Sequence, residues 1–155
     1  MRTEGIVLRS YKRARWLHLK GIPILPNLIN EFMRLVCACE IPYTCIIEDG
    51  VEFPHRGLGV VLHPETKIGK GTTILQNVTI GGKTGNPGAP NIGARCIIGA
   101  GACLLGDIII GDNTIIGSNS VVMQSIPTNC VAVGAPARVV KTNIDRSIYD
   151  WNLKG

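Results

Sequence analysis

The sequence predicts a mainly β protein, a solenoid of short stacked faces, and three observations predict it. An isoleucine, leucine or valine recurs every six residues, at Leu62, Ile68, Ile74, Ile80, Ile92, Ile98, Leu104, Ile110, Ile116 and Val122. Glycine follows many of these directly, at Gly69, Gly81, Gly93, Gly99, Gly111 and Gly117. A period of six matches neither an amphipathic helix near 3.6 residues nor a strand of period two. It suits a solenoid in which each hexapeptide makes one flat face. The inward aliphatics stack coil upon coil, and glycines serve the tight corners between faces. With three hexapeptides to a coil, the chain holds about five coils. At roughly 4.8 Å per stacked strand, the prism is about 25 Å long.

Two helices precede the repeats. Residues 6–20 read as the first, ended by Gly21 and Pro23. Residues 26–38 read as the second, started by Pro26. Leu28, Ile29, Phe32, Met33, Leu35 and Val36 give it a broad apolar face. Such a face calls for burial, on the first coil or against another subunit. The chain therefore divides into a helical segment over 1–39, a solenoid over 40–141 and a C-terminal cap over 142–155. The cap is expected to close the open end with Tyr149 and Trp151, because a solenoid end exposes unpaired strand edges.

The repeat is broken twice. Ile41, Ile47 and Phe53 keep the period in a different phase, and three extra residues separate Phe53 from Leu62. They fall in His55-Arg56-Gly57-Leu58-Gly59, beside a histidine. The second break is a skipped beat at Asn86, within Gly81-Gly82-Lys83-Thr84-Gly85-Asn86-Pro87-Gly88-Ala89-Pro90. That stretch is too polar and too rich in Gly and Pro for a coil face, so it loops out and returns to the same corner. Loops on repeat scaffolds gather on one functional face.

Composition narrows the possibilities. A chain of 155 residues makes one domain with a small appendage. It carries no long apolar run and no signal-peptide pattern, which points to the cytoplasm. Six cysteines lie among the repeats or close the second helix without zinc-type spacing, which points to small buried thiols in a reducing compartment. None of the three histidines has ligand spacing to another, so no metal is expected. The net charge of +5 resides in residues 1–20, where six basic residues face only Glu4. That basic helix suits peripheral contact with an anionic membrane, or else a solvated face that packs Trp16, Leu17 and Leu19 on the body. No groove-reading motif accompanies it, so nucleic acid is not expected.

The repeats, the Gly81-Gly82 loop and the Gly134-Ala135-Pro136-Ala137-Arg138 ending resemble the hexapeptide-repeat acyltransferases of left-handed β-helix fold. Within them the chain looks like the serine acetyltransferase-like branch, closest to the O-acetyltransferases of polysaccharide clusters. The likeness is strong over 40–141 and looser over 10–39. It implies a left-handed parallel β-helix, a homotrimer with sites between neighbouring prisms, and acetyl-CoA as cosubstrate. It also implies direct transfer of the acetyl group to a hydroxyl, with a histidine as general base.

His55 matches that base. A hydroxyl attacking a thioester must lose its proton as the bond forms, and histidine titrates near neutral pH. His63, at the start of a new face, is the competitor, and His18 lies on the basic helix. The serine enzymes orient their base with an aspartate fifteen residues earlier, and here that position is Glu40. On the coenzyme side, Gly82 matches a loop glycine, and Gly99, Ala100, Gly117 and Ser118 match small residues on later coils. Pro136, Arg138 and Lys141 match the terminal motif near the adenine and its phosphates. The tetrahedral oxyanion needs a fixed donor, such as a backbone N–H of a glycine-rich turn.

The departures concern the acceptor. The serine enzymes carry an aspartate before the base, where this chain has Pro54. They carry an arginine and a histidine in the loop, where it has Gly88-Ala89-Pro90. Their helical N-terminal domain is reduced to about forty residues here. A zwitterion needs charged partners, so a sugar or glycan hydroxyl of a surface polysaccharide is the expected acceptor. Serine O-acetylation, sugar N-acetylation and a non-catalytic trimeric scaffold are the rivals.

Overall fold

The computed structural model describes residues 5–85 and 88–149. It is a three-sided parallel β-helix, left-handed as the resemblance implies, with two helices at its first coil. The first face carries Val61–Leu62, Thr79–Gly81, Cys103–Leu105 and Val121–Val122, and an isolated bridge from Glu40 to Val61 adds a rung before them. The second face carries Ile46–Ile47, Lys67–Ile68, Asn91–Ile92 and Ile109–Ile110, extended by a bridge from Ile110 to Ile126. The third carries Thr73–Ile74, Ile97–Ile98, Ile115–Ile116 and Val131–Gly134, preceded by a bridge from Glu52 to Thr73. Each face thus has five rungs, the number of coils the repeat predicts.

Register explains the period. Ile74, Ile98 and Ile116 stand directly over one another on the third face, and all are essentially fully buried. Leu62, Ile80, Leu104 and Val122 do the same on the first face. A slip of one residue would turn each stack outward, so the register is strongly specified. Glycine at the corners answers a packing need. A Cβ on Gly99 would lie 2.5 Å from the backbone nitrogen of Ser118, and one on Gly69 would lie 2.6 Å from that of Ala94. The coils approach too closely there for any side chain. Two buried threonines are satisfied across coils: Thr72 Oγ1 donates to the Gly93 carbonyl and Thr114 Oγ1 to the Pro127 carbonyl, both at 2.8 Å.

The helices α1 (Ile6–Leu19) and α2 (Leu25–Cys37) match the expected spans within a residue. α1 lies over the first coil. Val7, Leu8, Tyr11 and Ala14 are buried, and the Tyr11 hydroxyl donates to the Cys45 carbonyl at 2.6 Å. Arg15 clamps the carbonyls of Tyr43 and Cys45 at 3.0 and 2.8 Å, and Lys12 reaches Asp49 at 3.2 Å. Two of the basic side chains expected to face a membrane are therefore occupied in holding α1 to the body. Trp16 and Leu19, expected to pack inward, are exposed instead, because the tyrosine and arginine contacts turn the opposite side of α1 onto the coil. Among the described residues no helix is long and apolar enough to cross a membrane.

α2 buries only Pro26, Met33 and Cys37. Ile24, just before it, and Leu25, Leu28, Phe32, Leu35 and Val36 along it are exposed, Leu35 by 86%. At 100° per residue these six share one arc, next to the arc that meets the core. Burial on the first coil thus accounts for less than half of the apolar face.

The last coil ends in a hairpin. Val131–Gly134 turns back into Ala137–Lys141, its antiparallel partner. The chain beyond is described as far as residue 149. Ile144 N–H donates to the Asn129 carbonyl at 3.0 Å and Arg146 Nε to the Arg95 carbonyl at 3.0 Å. The tail runs back along the edge between the second and third faces, where Arg95, Asn113 and Asn129 form a ladder of side-chain bonds. Trp151 and the contacts of Tyr149 lie outside the described residues.

Candidate active site

The three extra residues before Leu62 form a turn, Pro54–Gly57, at the edge between the third and first faces. His55 and Arg56 both lie in the left-handed region, with φ of 55° and 58°, followed by Gly57 at 64°. Two consecutive non-glycine residues there cost on the order of 1–3 kcal/mol each, and such strain gathers at functional sites. The surroundings hold the turn. Gly57 packs on Phe53 and on Val7 of α1, and Gly59 N–H donates to the Ala38 carbonyl at 2.9 Å. The outcome is an exposed imidazole on an over-determined backbone.

Along this edge the coils are tied by backbone bonds. Asn77 N–H donates to Leu58 O at 2.8 Å, Gly101 N–H to Gln76 O at 3.0 Å and Asn119 N–H to Ala100 O at 2.8 Å. The edge therefore carries, rung by rung, the His55 turn, then Gln76 and Asn77, then Gly99 to Gly101, then Gly117 to Asn119. It ends at the hairpin turn after Gly134, which holds Pro136. From His55 to Pro136 the distance is four rung spacings, roughly 19 Å.

The structure thus brings His55, Gly99, Ala100, Gly117, Ser118 and Pro136 onto one line. Glu40 is beside it, for its N–H donates to Val60 O at 2.8 Å and its carbonyl accepts from Leu62 at 2.9 Å. Its carboxylate lies 3.9 Å from Arg34, and no hydrogen bond joins it to His55 within the single chain. Gly82 stands one face away, at the edge between the first and second faces. Arg138 is next to the hairpin turn and exposed, with one guanidinium N–H on the Ala137 carbonyl at 2.9 Å. Lys141 is opposite Val131, at the far end of its strand from Pro136. His63 is used locally, its Nδ1 accepting the Glu65 N–H at 3.2 Å, and the His18 ring meets Tyr43 at 4.8 Å, tilted by 44°.

A groove of about 780 Å³ runs along the second face beneath the 82–90 loop, lined by Glu65, Lys67, Gly88, Ala89, Asp107 and Ile109 among others. Glu65 and Lys67 come from one coil and Asp107 from another two rungs on, and no spacing in the sequence marks the set. Among the described residues no cluster of three His, Cys, Asp or Glu could hold a metal ion. All six cysteines are free, and burial pushes the thiols of Cys39 and Cys96 up to about 11 and that of Cys45 to about 12. These thiols stay protonated at neutral pH and are poor nucleophiles. The exposed imidazole of His55 on this edge is therefore the chemically usable group.

Comparison with known proteins gives the class. Residues 89–124 match the bacterial transferase hexapeptide family model, described as six repeats. The chain is 36% identical over 135 residues to the serine acetyltransferase of Synechococcus elongatus, across 86% of this chain and 55% of that protein. It is 36% identical over 135 residues to the serine acetyltransferase of Helicobacter pylori strain J99, across 86% of this chain and 78% of that protein. Among solved structures, the Brucella abortus serine acetyltransferase in complex with coenzyme A superposes with a TM-score of 0.83. It is 27% identical, over 88% of this chain and 55% of that one. The chain therefore belongs to the serine acetyltransferase family of hexapeptide-repeat transferases. It spans little more than half the length of several of the relatives it matches.

These relatives overturn the expected polysaccharide acceptor. That expectation rested on the missing loop cations at Gly88-Ala89-Pro90, on Pro54 and on the short N-terminal helical segment. The physical weakness lies in equating the loop with the whole acceptor site. Glu65, Lys67 and Asp107 place both signs of charge in the groove beneath it without a motif.

Proposed function

We propose that this chain is an acetyl-CoA-dependent O-acetyltransferase acting on L-serine, as a homotrimer. The observation that carries the reading is the strained His55 turn at the head of an edge of small residues, in a chain whose relatives are serine acetyltransferases. The thioester supplies the acetyl group. His55 takes the proton from the serine hydroxyl as the oxygen attacks the thioester carbon, then gives it to the departing thiolate. The C–S bond breaks as the new C–O bond persists, so no acyl-enzyme forms. Backbone N–H groups suit the oxyanion because they are fixed before reaction begins. Ala100 and Ser118 leave room beside the pantetheine arm, while Arg138, next to the hairpin turn, offers a cation to phosphates. Gly82 contributes from the next edge, which a neighbouring copy brings alongside. Glu40 orients His55 once its carboxylate leaves Arg34.

The trimer is supported by the α2 ridge. Six large side chains of this exposure present on the order of 700 Å², close to the ~800 Å² that one partner gives to a standard interface. Monomeric proteins rarely leave so large an apolar patch in water. The functional division is residues 1–39 for assembly, 40–141 for catalysis and 142–155 as a C-terminal segment.

The test is acetyl-CoA consumption by the purified protein with L-serine, with the product identified by mass. A product heavier than serine by one acetyl group, absent with His55→Ala, is the expected result. Consumption of acetyl-CoA with no serine product would reject the acceptor. An active His55→Ala variant would reject the base.

A further inference from the structure

We propose that Gln76 sets the length of acyl group the enzyme accepts, as a steric stop beneath the thioester. The inference rests on reading the His55 edge as the acyl-CoA site. Ile74, Ile98 and Ile116 are in register, so the residues two positions later, Gln76, Ala100 and Ser118, are equivalent on successive rungs. The two rungs along which the coenzyme arm is placed carry alanine and serine. The rung between them and His55 carries the longest side chain of the three.

That rung is where the acyl group must sit. The reacting carbonyl has to lie within reach of a hydroxyl hydrogen-bonded to His55 on the first rung. The arm approaches from the third and fourth. The acyl chain therefore projects over the second rung, onto position 76. Its other neighbour there, Asn77, is committed to the scaffold: its φ is 59°, and its side chain fills the space against Gly59.

Gln76 is held in place. Its side chain is half-buried, its Oε1 is fully buried without a hydrogen-bond partner among the described residues, and its backbone carbonyl is tied to Gly101. A side chain whose terminal oxygen is buried lies along the edge and forms a wall. Leaving that oxygen unmatched is unfavourable, so stability does not explain a glutamine where the next coils have small residues. An acetyl methyl fits above such a wall, and each further methylene meets it.

The experiment compares acetyl-, propionyl- and butyryl-CoA with L-serine in the wild type, Gln76→Ala, Gln76→Asn and Gln76→Met, reading kcat/KM by product mass. The wild type should favour acetyl over butyryl strongly. Gln76→Ala should narrow that ratio by about tenfold or more, as differences of a methylene or two in a pocket do. Gln76→Asn should fall between them, which preserves the test if the alanine variant folds poorly. Gln76→Met keeps the length and should keep the ratio. An unchanged ratio in active Ala and Asn variants overturns the role of Gln76 alone. Absence of transfer from every donor in the wild type overturns the site reading and this inference together.

Discussion

At the residue scale, geometry separates side chains that serve chemistry from those that serve the scaffold. His55→Ala should lower kcat by about 10²–10⁴, the range of general-base contributions, with the circular dichroism and assembly unchanged. The glycines divide in the same way. A Cβ on Gly99 would meet the Ser118 nitrogen at 2.5 Å, and backbone cannot step aside, so Gly99→Ala should destabilise by about 1–3 kcal/mol. A Cβ on Gly82 would meet nothing nearer than the Gly88 carbonyl at 3.6 Å. Gly82→Ala should therefore leave Tm in place and raise KM for acetyl-CoA, and an unchanged KM would remove Gly82 from the coenzyme contacts. Both glycines looked alike in the sequence, because a repeat prefers small residues at every corner. Only the distance to the next coil distinguishes them.

At the element scale, α2 is the clearest case of a sequence pattern with two outcomes. Its apolar face was legible, but the partner was not, because a helical wheel shows only which residues avoid water. The structure assigns Met33 and Cys37 to the core and leaves Phe32 and Leu35 in solvent. Phe32→Glu with Leu35→Glu should convert the assembly to monomer at micromolar concentration by light scattering, with little loss of β signal. An intact trimer in that double variant would place the subunit contact elsewhere. α1 shows the reverse. Its charge suggested a surface role, yet Arg15 and Lys12 bind the first coil, so Arg15→Ala should loosen α1 and lower Tm.

At the scale of the whole molecule, stability depends on a stack whose coils include buried thiols. Cys39, Cys45 and Cys96 have ordinary values near 9 when unfolded and about 11, 12 and 11 when folded, mainly through burial. A raised folded value means that the unfolded chain ionises first as pH rises. The stability these thiols carry is therefore intact below about pH 9 and lost progressively between 9 and 12. Urea midpoints should fall across that window, and Cys45→Ala with Cys96→Ala should make the fall shallower. In the same native state, iodoacetamide at pH 7.5 should leave these three thiols unmodified until denaturant is added.

The sequence by itself determined the solenoid, its five coils, the two helices and the break that lifts His55 out of the repeat. It could do so because a six-residue code is local: each hexapeptide carries its own inward aliphatic and its own corner. What faces what across coils is not local. Tertiary structure decided that Gln76, Ala100 and Ser118 share a line with His55, that the Glu40 carboxylate meets Arg34, and that Lys141 stands away from Pro136. It also set Ile144 and Arg146 on the Asn129 and Arg95 carbonyls, along the edge between the second and third faces. The acceptor was misjudged for the same reason. Asp107 is far in sequence from Glu65 and Lys67, and only the stacking of coils sets it in one groove with them.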